Sequence, residues 1–359
     1  TVFPQEVAGE KWALGADVAY LRKLVEYWHR EFDWRAQERN LNQFPQFRTQ
    51  IEGLQVHFVH VRAVGGSGLP LLLTHGWPSS FAELLPIVPL LTDPAAHGID
   101  GPAFDVVIPS LPGYAFSERT ATPWTLRDTA RLWRKLMATL GYEQYGLHGG
   151  DFGAAVSTFI ALDTPSVVKG LHLSNLELAP YLGDGAAPLS AAEQAFVQQE
   201  EQWVEAEGGY YALFSTKPQT WAVALSDSPV GLAALILEKW RTWSDSGGDL
   251  ERRFSRDFLL TTIMLYWFTN CIGTSVRDYF DNRTLVEQIG PDHRVHVPTA
   301  IGLFGNEFVD DGDPPRAWAE RLYNVTRWQV MPRGGHFAAT EEPMLLAQDI
   351  AAFFKSLTV

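Results

Sequence analysis

Gly149-Gly150-Asp151-Phe152-Gly153 follows the apolar run Tyr145-Gly146-Leu147 and precedes the helix-favouring stretch Ala154-Ala155-Val156-Ser157-Thr158-Phe159-Ile160. A strand-turn-helix corner of this kind holds its central residue on a strained turn, and small residues two places to either side let strand and helix pack together. Gly149 and Gly153 meet that requirement. The central residue is an aspartate where esterases carry serine. With a reference pKa of about 3.9 its carboxylate is ionised at neutral pH and needs no base to become a nucleophile. It can displace directly at saturated carbon.

A nucleophile of this type calls for an oxyanion site, a base and an acid that orients the base. His75-Gly76-Trp77-Pro78 follows an early strand, so the backbone N–H groups of Trp77 and Phe152 are expected to face a developing oxyanion. Pro78 has no N–H to offer. His336, in Arg333-Gly334-Gly335-His336-Phe337, lies after the last strand and before the last helix, where the general base is expected. Of the other histidines, His29, His57, His60, His97, His148, His172, His293 and His296 have no comparable context and read as structural or surface residues, with His148 buried in its strand. The loop Phe304-Gly305-Asn306-Glu307-Phe308-Val309-Asp310-Asp311 offers the orienting acid. Glu307 comes first in it, while Asp310, Asp311 and Asp313 read as solvated or turn-forming. Glu177, after the strand Leu171 to Ser174, is a second candidate for that acid.

The elements that position these residues can be read from periodicity. Val18, Leu21, Leu24, Val25, Trp28 and Phe32 fall at helical spacing after a cap at Asp17, and a loop follows around Phe44-Pro45. Strands are expected from Leu54 to Val61, at Leu71-Leu72-Leu73-Thr74, from Phe104 to Pro109, at Tyr145 and from Leu171 to Ser174, with a helix from Thr125 to Leu140. Continuous apolar strands alternating with helices indicate a parallel sheet covered on both faces. After Ser174 helical spacing replaces the alternation. Segments from Ala191 to Ala206, Val230 to Trp243 and Phe258 to Ile272, with breaks at Gly208-Gly209 and Gly247-Gly248, indicate an inserted helical domain. The alternation resumes with a strand from Pro298 to Leu303, a helix from Pro315 to Tyr323, a strand from Val325 to Val330 and a last helix from Pro343 to Phe354. The expected division is an amino-terminal extension over 1–64, a core over 65–178 and 291–359, and a helical cap over 179–290.

Composition bounds the setting. The chain has 359 residues, is 46% hydrophobic and contains a single cysteine, Cys271, so it can bury a large core without disulfides and a cytoplasmic location is expected. The formal charge of -14 comes from scattered acids, and no Lys/Arg cluster interleaved with aromatics suggests nucleic acid. No apolar stretch reaches the ~18 residues of a membrane helix, so no membrane partner is expected.

Taken together, these motifs make the chain resemble an epoxide hydrolase of the α/β-hydrolase superfamily, of the microsomal or juvenile-hormone type, over nearly its whole length. The resemblance rests on Leu41-Asn42-Gln43-Phe44-Pro45-Gln46-Phe47, His57-Phe58-Val59-His60, His75-Gly76-Trp77-Pro78-Ser79-Ser80, the Asp151 elbow and Arg333-Gly334-Gly335-His336-Phe337. Asp227-Ser228-Pro229-Val230-Gly231-Leu232-Ala233 and Tyr266-Trp267 in the helical insert also match. It implies an α/β-hydrolase fold with a cap and an amino-terminal extension, and hydrolysis of an epoxide to a vicinal diol through an alkyl ester on Asp151. No metal or cofactor is implied. It also implies two cap tyrosines that donate hydrogen bonds to the epoxide oxygen, at Tyr210 and Tyr279, with Tyr211 and Tyr266 as the neighbouring alternatives. A phenol with a reference pKa near 10 can protonate an alkoxide without prior ionisation.

Two departures stand out: Phe152 replaces the tryptophan common after the nucleophile, and the membrane anchor of mammalian microsomal members is not carried over. The amino-terminal segment is expected to wrap core and cap or to contribute to a homodimer. Bacterial relatives of this type include detoxifying enzymes and natural-product tailoring enzymes, as in enediyne biosynthesis. A haloalkane or haloacid dehalogenase shares the aspartate elbow, but its halide cradle often uses tryptophan beside the nucleophile, where this chain has Phe152. A non-catalytic ligand-binding protein of the same fold would often lack the base or the acid, and here candidates for both are present in the right order.

Overall fold

Eight strands share one sheet: β1 (Gln46–Ile51), β2 (Leu54–Val61), β3 (Leu69–Thr74), β4 (Phe104–Pro109), β5 (Tyr145–Gly149), β6 (Val168–Leu173), β7 (Val295–Phe304) and β8 (Tyr323–Met331). Their spatial order is β1-β2-β4-β3-β5-β6-β7-β8 in this computed structural model, which describes residues 2–5, 9–307 and 313–357. From β4 to β8 the pairings are parallel, whereas β1 with β2 and β2 with β4 are antiparallel. Alternate residues of the central strands enter two separate cores. Leu72, Val107 and Leu147 pack with Trp133, Leu136 and Phe159, whereas Leu71, Leu73, Val106 and Ile108 pack with Ile350 and Phe353. Full burial of each such side chain is worth about 1.5–3 kcal/mol, which is why the strands read as continuous apolar runs.

Helices cover both faces. Leu126–Thr139 starts at Thr125, whose side chain and that of Asp128 cap each other's backbone N–H groups, and Phe152–Asp163 follows β5 directly. Pro343–Ser356 closes the opposite face. The amino-terminal helix Val18–Arg30 is capped by Asp17, whose carboxylate accepts the Tyr20 N–H at 2.9 Å. From that helix Tyr27 Oη donates to Asp257 Oδ1 at 2.8 Å, tying the amino-terminal segment to the helical insert.

Three local expectations change. β1 lies where the sequence suggested only a loop past Pro45. Its residues QFRTQI lie at the sheet edge with only Ile51 buried, so no apolar run announces it. The helix expected to run to Ile272 ends at Thr269, because Asn270 adopts a left-handed conformation (φ 48, ψ 45), one that asparagine tolerates better than most residues. The next helix, Ile272–Asp281, leaves at 87° to Arg256–Thr269 and carries Tyr279 back toward the sheet. The helix expected from Pro315 to Tyr323 spans only Arg316–Glu320, and Tyr323 belongs to β8.

Between β6 and β7 lie the helices Ala191–Glu207, Gly209–Thr216, Pro218–Asp227, Pro229–Thr242, Arg256–Thr269 and Ile272–Asp281. Among the described residues no single helix is long and apolar enough to cross a membrane.

Candidate active site

The elbow forms because glycine is the only residue its corner admits. A Cβ on Gly153 would lie 1.9 Å from the Thr74 carbonyl oxygen, and one on Gly149 would lie 2.2 Å from that of Gly153. Strand, turn and helix therefore touch backbone to backbone. Asp151 sits between them at φ 52, ψ -135, a strained conformation that the surrounding contacts must hold. Part of that hold is Asn175, just past β6, whose Oδ1 accepts the Asp151 N–H at 2.8 Å. Only its place after a central strand could have pointed to Asn175 in the sequence.

The two oxygens of Asp151 have different surroundings. Oδ1 accepts the Trp77 N–H at 2.8 Å and the Phe152 N–H at 2.6 Å, the two groups expected to form an oxyanion site. Oδ2 faces His336 Nε2 at 3.4 Å, and on the far side of that ring Nδ1 lies 2.7 Å from Glu307 Oε1. The His336 side chain is buried, and its backbone N–H donates to the Trp243 carbonyl at 2.8 Å. Burial alone would disfavour the imidazolium, yet the charges and hydrogen bonds of Glu307 and Asp151 outweigh it and hold its pKa well above the usual histidine value. The two flanking carboxylates thus favour the protonated ring.

His75 holds the other side. Its Nε2 accepts the Leu111 N–H at 3.1 Å while Nδ1 lies 3.1 Å from the Gly76 carbonyl. Burial pulls its pKa down to about 4, so a neutral ring pins the loop that presents the Trp77 N–H. His148 and His172 are buried within the sheet, their Nδ1 atoms 3.0 Å apart, and His172 Nε2 is 3.0 Å from Asp349 Oδ2.

The insert brings Tyr210 and Tyr279 over the nucleophile. Tyr210 stacks on Trp77 with centroids 5.8 Å apart and planes 6° from parallel. Tyr279 meets Trp77 edge-on at 5.4 Å and Phe152 at 5.2 Å. The two tyrosines pack against each other at 5.8 Å. Burial pushes both phenols well above their usual range, with the Asp151 charge adding to the effect, so both are protonated donors. The Lys239 ammonium, itself paired with Glu238 at 2.9 Å, lies 4.3 Å from the centroid of the Tyr210 ring and was not singled out in the sequence. Tyr266 is committed elsewhere, its hydroxyl donating to the Ser79 carbonyl at 2.8 Å, and Tyr211 is partly exposed at 44%.

A cavity of about 360 Å³ opens from Asp151, walled by Phe152, Tyr210, Tyr211 and Tyr279 and extending past Glu177. Behind Asp151 lies a second, small cavity of about 20 Å³ bordered by Glu83, His148, Ser174, Asp151 and His336, room for roughly one water. Burial pushes Glu83 up to about 7. Glu177 makes no hydrogen bond to His336, whose carboxylate partner is Glu307. Asp310 and Asp311 lie outside the described residues.

The chain is similar to known proteins over nearly its whole length. Residues 1–84 match the model of the epoxide hydrolase N terminus, and residues 70–343 match that of the alpha/beta hydrolase fold. Epoxide hydrolase 1 of Oryctolagus cuniculus is 42% identical over 94% of this chain and 80% of its own length. The crystal structure of juvenile hormone epoxide hydrolase from Bombyx mori superposes with a TM-score of 0.89 at 30% identity, covering 100% of this chain and 89% of that one. The epoxide hydrolase structure from Aspergillus niger superposes with a TM-score of 0.85 at 31% identity, over 99% of this chain and 90% of that one.

Proposed function

The chain belongs to the epoxide hydrolases of the α/β-hydrolase fold, and on that premise we propose that Asp151, His336, Glu307, Tyr210 and Tyr279 divide the conversion of epoxide and water to a diol between them. One observation carries the assignment. The carboxylate of Asp151 has one oxygen between two backbone N–H groups and the other before a histidine.

In the first step an Oδ2 lone pair attacks an epoxide carbon and the ring C–O bond breaks onto oxygen. That oxygen takes a proton from Tyr210 or Tyr279. Esterification removes the negative charge of Asp151, one of the two carboxylates that hold the proton on His336, so the ring can give its proton up and the phenolate recovers one. His336 is now neutral, and the Glu307 carboxylate keeps Nε2 as the free base.

In the second step His336 takes a proton from water as the oxygen adds to Cγ of Asp151. The charge gathers on Oδ1, held by the N–H groups of Trp77 and Phe152. Collapse breaks the Cγ–Oδ2 bond, and the departing alkoxide takes the proton of the new carboxyl. Asp151 is again a carboxylate, His336 again an imidazolium, and the sum is epoxide plus water to diol. Removing a single oxyanion donor typically costs about 10²–10³ in rate, so these N–H groups supply a large share of the second step.

A single turnover in ¹⁸O-water tests this route, because the heavy oxygen should enter the Asp151 carboxylate. Label found only in the diol would mean direct attack of water on the epoxide. A cytoplasmic location remains part of the reading, supported by the single, buried Cys271.

A further inference from the structure

Glu177 is left over once the machinery has been assigned. It follows β6, lines the 360 Å³ cavity together with Asp151, Tyr210, Tyr211 and Tyr279, and makes no hydrogen bond or ion pair among the described residues. Among the described residues nothing holds this carboxyl group. The rest of the described wall is aromatic or aliphatic, with the amides of Asn175 and Asn282 and the further carboxylates Glu200, Glu307 and Asp313; it contains no lysine or arginine. Glu307 is engaged with His336. Among the described residues Glu177 is an acid of this wall with no hydrogen-bond or ion-pair partner; burial, and after it the Asp151 charge, push its pKa well above the usual carboxylate range, so its anion is disfavoured until a bound ammonium restores it.

Leaving a polar group unpaired in a partly dry cavity is unfavourable, and a complementary ligand removes that cost on binding. We propose that Glu177 is a specificity-determining residue that accepts a hydrogen bond from a hydroxyl or ammonium group carried beside the oxirane, and that it disfavours epoxides bearing a carboxylate. The proposal rests on the cavity above Asp151 being the epoxide site. Donor and oxirane would then be gripped at two points, by Glu177 on one side and by Tyr210 and Tyr279 on the other, with Asp151 between. A substrate carboxylate in this cavity would meet the carboxyl groups of Asp151, Glu177, Glu200, Glu307 and Asp313 with no lysine or arginine in the described wall. The aromatic remainder accommodates the apolar part of the molecule but does not distinguish a donor from a methyl group. Glu177 does.

The test is kcat/KM for diol formation across oxiranes substituted with ethyl, hydroxymethyl, aminomethyl or carboxylate, for the native enzyme, Glu177→Gln and Glu177→Leu. The native enzyme should favour the hydroxymethyl or aminomethyl compound over the ethyl one by about tenfold or more, as expected for a hydrogen bond to a charged group, and should be slowest on the carboxylate. A preference confined to the aminomethyl compound would identify the donor as an ammonium, and one shared by both would include the hydroxyl. Glu177→Leu should invert the ratio in favour of ethyl, and Glu177→Gln, which keeps the shape, should lose the aminomethyl preference and recover turnover of the carboxylate. Unchanged ratios in both variants, with turnover of the ethyl compound intact, would overturn the role of Glu177 alone. A uniform loss over all four compounds would overturn it too, by assigning the residue to the chemistry. No diol from any of the four would overturn this proposal together with the reading of the site on which it rests.

Discussion

His336 Nε2 lies 3.4 Å from Oδ2 of Asp151, while Oδ1 is held by backbone N–H groups at 2.6 and 2.8 Å. One carboxylate is thereby sorted into a nucleophilic oxygen and an oxyanion oxygen before any substrate arrives. The sorting makes the two half-reactions separable by mutation.

His336→Gln removes the base of the second step and leaves the nucleophile intact. One equivalent of epoxide should be consumed and the ester should persist on Asp151, visible as a mass increase of the intact protein equal to that of the substrate. Sustained multiple turnover by this variant would place the base elsewhere.

Glu307→Gln keeps the shape but removes the charge 2.7 Å from Nδ1. Ester hydrolysis should slow by roughly 10²-fold, the usual scale of general-base catalysis, with ester formation much less affected. Rapid-quench measurement of both steps checks this, and equal slowing of the two would contradict it.

The raised pKa of His336 also makes a statement about stability. Its folded value lies above the unfolded reference of about 6.5, so the folded state binds the proton more tightly. The resulting stabilisation is complete below pH about 6.5 and is lost as pH rises through the folded value. Thermal midpoints recorded from pH 6 upward should fall in the native enzyme relative to His336→Gln. A difference between the two that does not vary with pH would contradict the assignment.

Tyr210→Phe and Tyr279→Phe should each slow ester formation, by about 10²-fold on the scale of a lost oxyanion donor. Tyr266→Phe serves as the control. Its hydroxyl bonds the Ser79 carbonyl at 2.8 Å, so the variant should lose about 1 kcal/mol of stability while esterifying at close to the native rate. A stronger kinetic effect at Tyr266 than at the other two would exchange their roles.

Gly153→Ala tests the corner itself. The added Cβ would stand 1.9 Å from the Thr74 carbonyl, and a backbone neighbour cannot rotate away. Destabilisation beyond about 3 kcal/mol is expected, at the severe end for a single substitution. A native melting temperature would show that strand and helix are not in close contact there.

Much of this site could be read from the chain because its chemistry is locally encoded. The elbow needs glycines at fixed offsets from Asp151, and buried parallel strands need unbroken apolar runs, so Asp151, the loop carrying Trp77 and most of the strands were recognisable. β1 was not, since an edge strand exposed on one side carries no apolar run. The break at Asn270 was also hidden, because it depends on one residue accepting a left-handed conformation inside a helical pattern.

By itself the sequence determined the elbow around Asp151, the chain order of Asp151, Glu307 and His336, and the sheet that carries them, since each follows from residue type and short-range spacing. Tertiary structure decided which carboxylate meets His336, which tyrosines face the nucleophile, and that Asn175 pins the elbow. The physical reason is distance along the chain. Glu307 and His336 are 29 residues apart, and Asp151 and Asn175 are 24 apart, so these pairings arise only when strands from separate parts of the chain end on the same side of one sheet. The same assembly left Glu177 facing the cavity without a partner among the described residues.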